Sequence, residues 1–181
     1  FTAVTEKSTG RRADSLADRD RRLSDIVRRI GLFVQEHDDY TLAMLEGLIT
    51  TKGGSPWDRA GLWWLTIQQV LDPARTALVS PTTVKKWVTG RGGADKAAVA
   101  GGVTRLWPEF ECGSDNEADA LALASMGAQR LRLNLFPKRA WHGDCLSKVE
   151  WPAFVHDKEW LDAETNFERT YMDAMDRGEL K

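Results

Sequence analysis

Apolar positions along the chain fall into stretches of helical spacing separated by shorter stretches of strand character. Phe1-Thr-Ala-Val-Thr5 alternates and is rich in β-formers, which predicts a strand running into a polar turn at Ser8, Thr9 and Gly10. From about Asp14 to Glu36 the period becomes helical, with Leu16, Leu23, Ile26, Val27, Ile30 and Phe33 or Val34 on one side. The other side interleaves Arg19, Arg21, Arg22, Arg28 and Arg29 with Asp14, Asp18, Asp20 and Asp25. Such alternation marks a solvated, salt-bridged face more often than a phosphate-binding one. Tyr40-Thr-Leu-Ala-Met-Leu-Glu46 is an apolar run of strand length, predicted as a central buried strand, with Glu46 at its carboxyl end and Gly47 after it. Open α/β sheets place their sites at that end of a strand, although a lone Glu there is commonly just the first exposed loop residue.

A small-residue stretch, Thr50 to Pro56 with Lys52, Gly53 and Gly54, leads into a predicted helix over about Trp57 to Leu71. Leu62, Trp63, Leu65, Thr66, Gln69 and Val70 coat more than one side of it, the pattern of a helix that is buried or dimerises. Arg75 to Val79 reads as a short strand, and Ser80-Pro81 supplies an N-cap with proline at the first helical position. The helix that follows carries Lys85, Lys86 and Trp87. Thr89-Gly-Arg-Gly-Gly-Ala-Asp-Lys96 then makes a basic, glycine-rich loop entering a helix that runs to about Leu106. Its glycines allow close backbone approach, and Lys85, Lys86, Arg91 and Lys96 supply local charge for phosphates. No Gly-Lys-Ser or Gly-Lys-Thr ending is present, so a nucleoside-triphosphate loop is poorly supported.

Ser114 and Glu117 have the spacing of a capping box, which starts a helix at Asp115 that is predicted to run to about Leu133. At about 100° per residue, Asp119 lies roughly 40° from Asp115 and roughly 60° from Asn116, so these three share a face. Ala118, Ala122 and Ser125 continue that face with small side chains, and Leu121, Leu123 and Ala124 widen the apolar surface. Neighbouring carboxylates on a buried helix start repel one another and resist desolvation unless a cation or shared proton compensates. A divalent metal satisfies that requirement; complementing the helix dipole is the structural alternative. The remainder, with Pro137 to His142, Trp151-Pro152 and a polar helix over about Lys158 to Arg177, forms a C-terminal extension over 134–181. Trp141, Trp151 and Trp160 read as anchors on the core before they read as stacking surfaces for bases, and His142, Asp144 and Cys145 have no further partner to make a ligand set.

Composition narrows the class without choosing a function. With 181 residues, 42% hydrophobic and 29% charged, the chain has a core's worth of apolar residues for one globular domain with an appendage. A net charge of −2 gives no global electrostatic case for nucleic acid, so that case rests on local basic clusters. Cys112 and Cys145 form no disulfide framework, no apolar run is of membrane-spanning length, and no signal peptide opens the chain, which together lead us to expect a cytoplasmic protein.

Three of these motifs, in this order, resemble the RuvC-type Holliday-junction resolvases of the RNase H-like superfamily, especially the bacteriophage branch. They are the Met-Leu-Glu46 strand end, Val84-Lys85 with Gly90-x-Gly92-x-x-x-Lys96, and Asp115-Asn-Glu-Ala-Asp-Ala-Leu-Ala-Leu-Ala124. The resemblance covers about Phe1 to Leu133 and implies an α/β fold, an RNase H-like central mixed sheet flanked by helices. It implies a homodimer that binds branched DNA, a four-way junction or possibly a flap, and cuts it using Mg²⁺ or Mn²⁺. Glu46 corresponds to the strand-end metal ligand and Asp119 to the last-helix aspartate. The second helix position falls on Asn116, with Asp115 beside it as the other candidate. Lys85 and Lys96 match the family's basic positions, and the helix after Gly54, with Trp63 and Trp64, matches the dimerising element. The family's first ligand, an Asp in a Gly-x-Asp strand, has no counterpart here, and the resemblance implies that its hairpin immediately precedes Phe1. Ile49 stands near the place where cellular relatives carry a junction-stacking aromatic residue. A broad flap or branch endonuclease, and a catalytically weak DNA-binding assembly module, are the alternatives.

Overall fold

The computed structural model describes residues 14–48, 55–133, 135–159, 161–162 and 177. Phe1 to Thr5, the Thr50 to Gly54 stretch, Ile49 and most of the helix expected over Lys158 to Arg177 lie outside the described residues. The fold is mixed α/β and mostly helical. Its elements are α1 (Leu16–Gln35), β1 (Ala43–Glu46), α2 (Pro56–Gln69), β2 (Thr76–Val79), α3 (Pro81–Thr89), α4 (Lys96–Leu106), α5 (Asp115–Arg130) and α6 (His142–Leu146), with 3₁₀ turns at Pro73–Arg75 and Ala153–His156.

β1 and β2 pair in parallel, with Ala43 opposite Thr76 and Glu46 opposite Val79. Among the described residues this two-stranded sheet is the whole of the sheet, smaller than the central mixed sheet expected. One antiparallel bridge, Leu78 with Glu150, adds the extension to the far edge of β2 through two backbone hydrogen bonds of 2.9 Å. β1 begins at Ala43 rather than Tyr40 because Tyr40 is held elsewhere. Arg75 donates to the Tyr40 carbonyl at 2.7 Å and lies 4.3 Å over its ring, and the Asp72 N–H donates to its hydroxyl at 3.3 Å.

α1 starts at a capping box in which Ser15 and Asp18 satisfy each other's backbone N–H groups. Its arginines are paired as an interleaved face requires: Arg21 with Asp18, and Arg28 and Arg29 with Asp25. Arg22 is the exception in function, because it ties α1 to α2 by reaching both Asp14 and, at 2.9 Å, Asp58. Close packing of the two helices uses Gly61 opposite Leu23 and Gly31 opposite Val70. α2 is less buried than its all-round apolar pattern implies: Thr66 is its buried residue, while Trp57 is 86% and Trp64 53% exposed.

The main core lies under β2. It combines Ala77 and Val79 with Val84, Trp87 and Val88 of α3, Val99, Val103 and Leu106 of α4, and Ala118, Leu121, Ala122 and Met126 of α5. Cys145 and Val149 belong to the same buried cluster, so this part of the extension is packed onto the domain. Trp87 is at the centre. Its indole N–H donates to Gln129 Oε1 at 2.8 Å, its ring stacks on His142 at 4.4 Å, and Phe136 meets it edge-on. The α3–α4 crossing depends on Gly102, where a Cβ would stand 2.4 Å from a Val88 methyl group. Likewise β1 reaches α5 at Gly127, where a Cβ would stand 3.1 Å from Met44. α5 ends at Arg130, three residues before the expected Leu133, because Arg132 turns left-handed (φ 66°) and the Leu133 N–H returns to the Ala128 carbonyl at 2.9 Å.

Candidate active site

Glu46 is the last residue of β1, and several contacts fix its position. The Gly47 N–H continues the ladder to the Val79 carbonyl at 2.8 Å, and Trp63 of α2 donates its indole N–H to the Glu46 carbonyl at 3.0 Å. Trp63 thereby anchors α2 to the strand end. α5 lies across β1 through Gly127, and its N-terminal half brings Asp119 into the electrostatic field of Glu46. The α5 start is set by Ser114, which accepts from the Glu117 N–H at 3.3 Å, while Glu117 reaches back to the Gly113 N–H at 2.8 Å. That reach falls one residue before the Ser114 N–H of an ideal box.

The charges at this end are coupled. Glu46 keeps an exposed edge, yet the protein around its carboxyl group removes enough water to raise its pKa, and the charge of Asp119 raises it further. Lys85 pulls it back down. Half-buried Asp119 is also raised, first by desolvation and then by Asp115, against the lowering effects of Lys96 and Lys85. Asp115 is exposed and pairs with Lys96 at 3.3 Å. Glu46 of β1 thus feels Asp119 and Lys85, and Asp119 of α5 feels Lys96, Lys85 and Asp115. The carboxylates remain in an environment that disfavours their charged forms.

Asn116 is half-buried on the same first turn of α5. Among those residues no three His, Cys, Asp or Glu side chains converge closely enough to hold a metal ion. The chemistry of the donor set nevertheless suits a hard cation: Glu46 and Asp119 offer carboxylate oxygens whose ionisation a divalent ion favours, and Asn116 offers an amide oxygen.

The other basic residues separate from this group. Lys86, one position after Lys85, turns to the extension and donates to Asp144 at 2.7 Å. Arg91 is exposed on the turn after α3, where its backbone N–H and carbonyl both engage the Thr89 hydroxyl at 3.1 Å. Gly92 has a packing use, since a Cβ there would lie 3.2 Å from the Thr82 carbonyl. The glycine-rich loop is therefore folded tightly onto the start of α3. Trp63 and Asp144 are the residues here that spacing alone does not single out, because their partners lie 17 and 58 positions away. No family model matches this sequence, and no curated protein matches it.

Proposed function

We propose that the protein is a metal-dependent, structure-selective DNA endonuclease that resolves Holliday junctions or related branched DNA by phosphodiester hydrolysis. The observation that carries this reading is that the charge of Asp119, 73 positions from Glu46 in sequence, raises the Glu46 pKa, with Lys85 acting on both carboxylates and Lys96 on Asp119. An isolated strand-end Glu or a first-turn Asp has an ordinary structural explanation. Two desolvated carboxylates flanked by cations on two other elements, α3 and α4, fit a site that takes both a divalent cation and a phosphate.

In this reading Glu46 and Asp119, with Asn116 or Asp115, hold Mg²⁺ or Mn²⁺. When bound, the metal supplies Lewis-acid activation of water and stabilises the leaving oxygen. Lys85 and Lys96 orient the phosphodiester and offset the negative charge that grows on it during hydrolysis. The Lys96–Asp115 pair is exposed, so Lys96 is exchangeable between that carboxylate and a phosphate at little cost. Trp63 holds the Glu46 backbone in place while α2 presents Trp57 and Trp64 outward, the surface we assign to a homodimer that cuts two strands symmetrically. No helix among the described residues is long and apolar enough to cross a membrane, and we assign the protein to the cytoplasm, of the host if it is phage-encoded.

The second reading, a DNA-binding assembly module with weak or no catalysis, is favoured by one observation: among the described residues no three His, Cys, Asp or Glu side chains come close enough together to hold a metal ion. Asp119→Asn separates the two. A nuclease loses junction cleavage by at least about two orders of magnitude while keeping junction binding, a loss in the range seen when a charge-stabilising group is removed. Cleavage unchanged in the variant removes Asp119 from the reaction.

A further inference from the structure

The extension contributes an acidic side chain to the basic surface of α3. Asp144 Oδ2 accepts from Lys86 Nζ at 2.7 Å and from Lys148 Nζ at 2.9 Å, one oxygen between two ammonium groups. We propose that Lys86 and Lys148 form a second phosphate seat, at the corner of α3 and α6, in which Asp144 is a resident counter-ion that a DNA phosphate displaces. The inference rests on the nucleic-acid reading above and adds a contact outside the carboxylate site.

Several features make this corner a site rather than a chance surface pair. Its backbone is fixed: the Trp141 indole N–H donates to the Trp87 carbonyl at 2.9 Å, its ring lies 3.5 Å from where a Gly90 Cβ would be, and Cys145 is fully buried. Asp144 is therefore carried on a segment locked to the end of α3. Two lysines against one carboxylate leave a single positive charge in excess, and the two ammonium groups hold the Asp144 carboxyl at about 2, so it is ionised at any pH where the protein works. The side chains are accessible, 36% for Lys86, 50% for Asp144 and 53% for Lys148. Exposed pairs of this kind are held only weakly, so exchange of the carboxylate for a phosphodiester is cheap. A phosphodiester brings the same single charge and acceptor oxygens, and its binding releases condensed counterions. Lys85 and Lys86 are consecutive on α3 and diverge by about 100°. One faces the carboxylate pair, and the other carries a DNA arm across the helix toward the extension.

Equilibrium binding of a fluorescent four-way junction, followed by anisotropy against salt in EDTA, tests the seat. Asp144→Asn should bind about three- to tenfold tighter at low salt, because the phosphate no longer competes with a resident carboxylate for the two ammonium groups. Lys148→Gln should bind more weakly with a shallower slope, and Asp144→Asn combined with Lys86→Ala should lose the gain. Thermal melting of each variant confirms that the α6 segment stays docked. Parent-like affinity in Asp144→Asn would overturn the seat, as would a gain that survives loss of Lys86. A parent protein that binds no junction at any salt concentration would sink the nucleic-acid reading itself, and the seat with it.

Discussion

His142 is 2% exposed and stacked flat on Trp87, with ring planes 18° apart. Its Nδ1 accepts weakly from the Arg139 N–H at 3.4 Å, and Nε2 is buried with no hydrogen bond of ordinary geometry among the described residues. Desolvation pushes its pKa from 6.5 down to about 4; the Trp87 backbone carbonyl pulls it up and the Arg139 charge pulls it further down. The folded protein therefore holds the ring neutral where the unfolded chain protonates it. A depressed histidine pKa contributes stability that is complete above about 6.5 and is withdrawn as pH falls from 6.5 to 4. Across that window the loss is about 3 kcal/mol, a large share of a domain's total. Replacing His142 by Phe keeps the aromatic stack and removes the titration. Urea titrations of both proteins by tryptophan fluorescence, from pH 7.5 to pH 4, give the difference in unfolding free energy at each pH. Carboxylates such as Glu46 and Asp119 titrate in both proteins and cancel in that difference. We expect the variant to gain about 3 kcal/mol on the parent over this range, with most of the change below pH 6. A difference independent of pH would show that the ring is not held neutral and would refute the burial argument.

Two further predictions concern stability. Asp119→Asn should raise the stability of the metal-free protein by about 0.5–2 kcal/mol, because it removes a desolvated charge that a functional site tolerates and folding does not need. The raised pKa of Asp119 carries the matching sign: its contribution to metal-free stability is full below the unfolded pKa and is lost as pH rises through the folded one. Mg²⁺ should then raise the melting temperature of the parent and leave the variant unmoved, which differential scanning fluorimetry reads directly. Gly102→Ala should cost about 1–3 kcal/mol by chemical denaturation, since its Cβ would meet the Val88 methyl at 2.4 Å across two packed helices. A neutral substitution would mean that the α3–α4 crossing shifts freely.

Local chemistry was the legible part of this chain. Ser80-Pro81 and Ser114 cap α3 and α5 where their side chains accept from the N–H three residues on, and the arginine–aspartate alternation of α1 appears as paired charges. These features depend on neighbours within one or two turns, which a sequence displays directly. Boundaries failed where a distant residue intervened: β1 starts late because Arg75 claims Tyr40, and α5 stops early because Arg132 takes a left-handed turn that its residue type does not advertise. The apolar pattern of α2 left burial and dimerisation open, and Trp57 and Trp64 stand exposed, because periodicity reports a face seeking a partner without saying whether this chain supplies it. At the candidate site, Glu46 and Asp119 were readable as separate signals, but their coupling and the diversion of Lys86 to Asp144 are products of tertiary packing. Nothing in the spacing of residues 86 and 144 carries that pairing.

In the proposed function Glu46 and Asp119 together support metal-dependent cutting of branched DNA. Its most direct test is cleavage of a synthetic four-way junction, beside a flap and a plain duplex, by the natural full-length protein in Mg²⁺ and in Mn²⁺, with Glu46→Gln run in parallel. Paired, symmetric cuts at the junction that vanish in EDTA and in the variant are expected. Tight junction binding with no cutting in either metal, or cutting that survives Glu46→Gln, would contradict the proposed function.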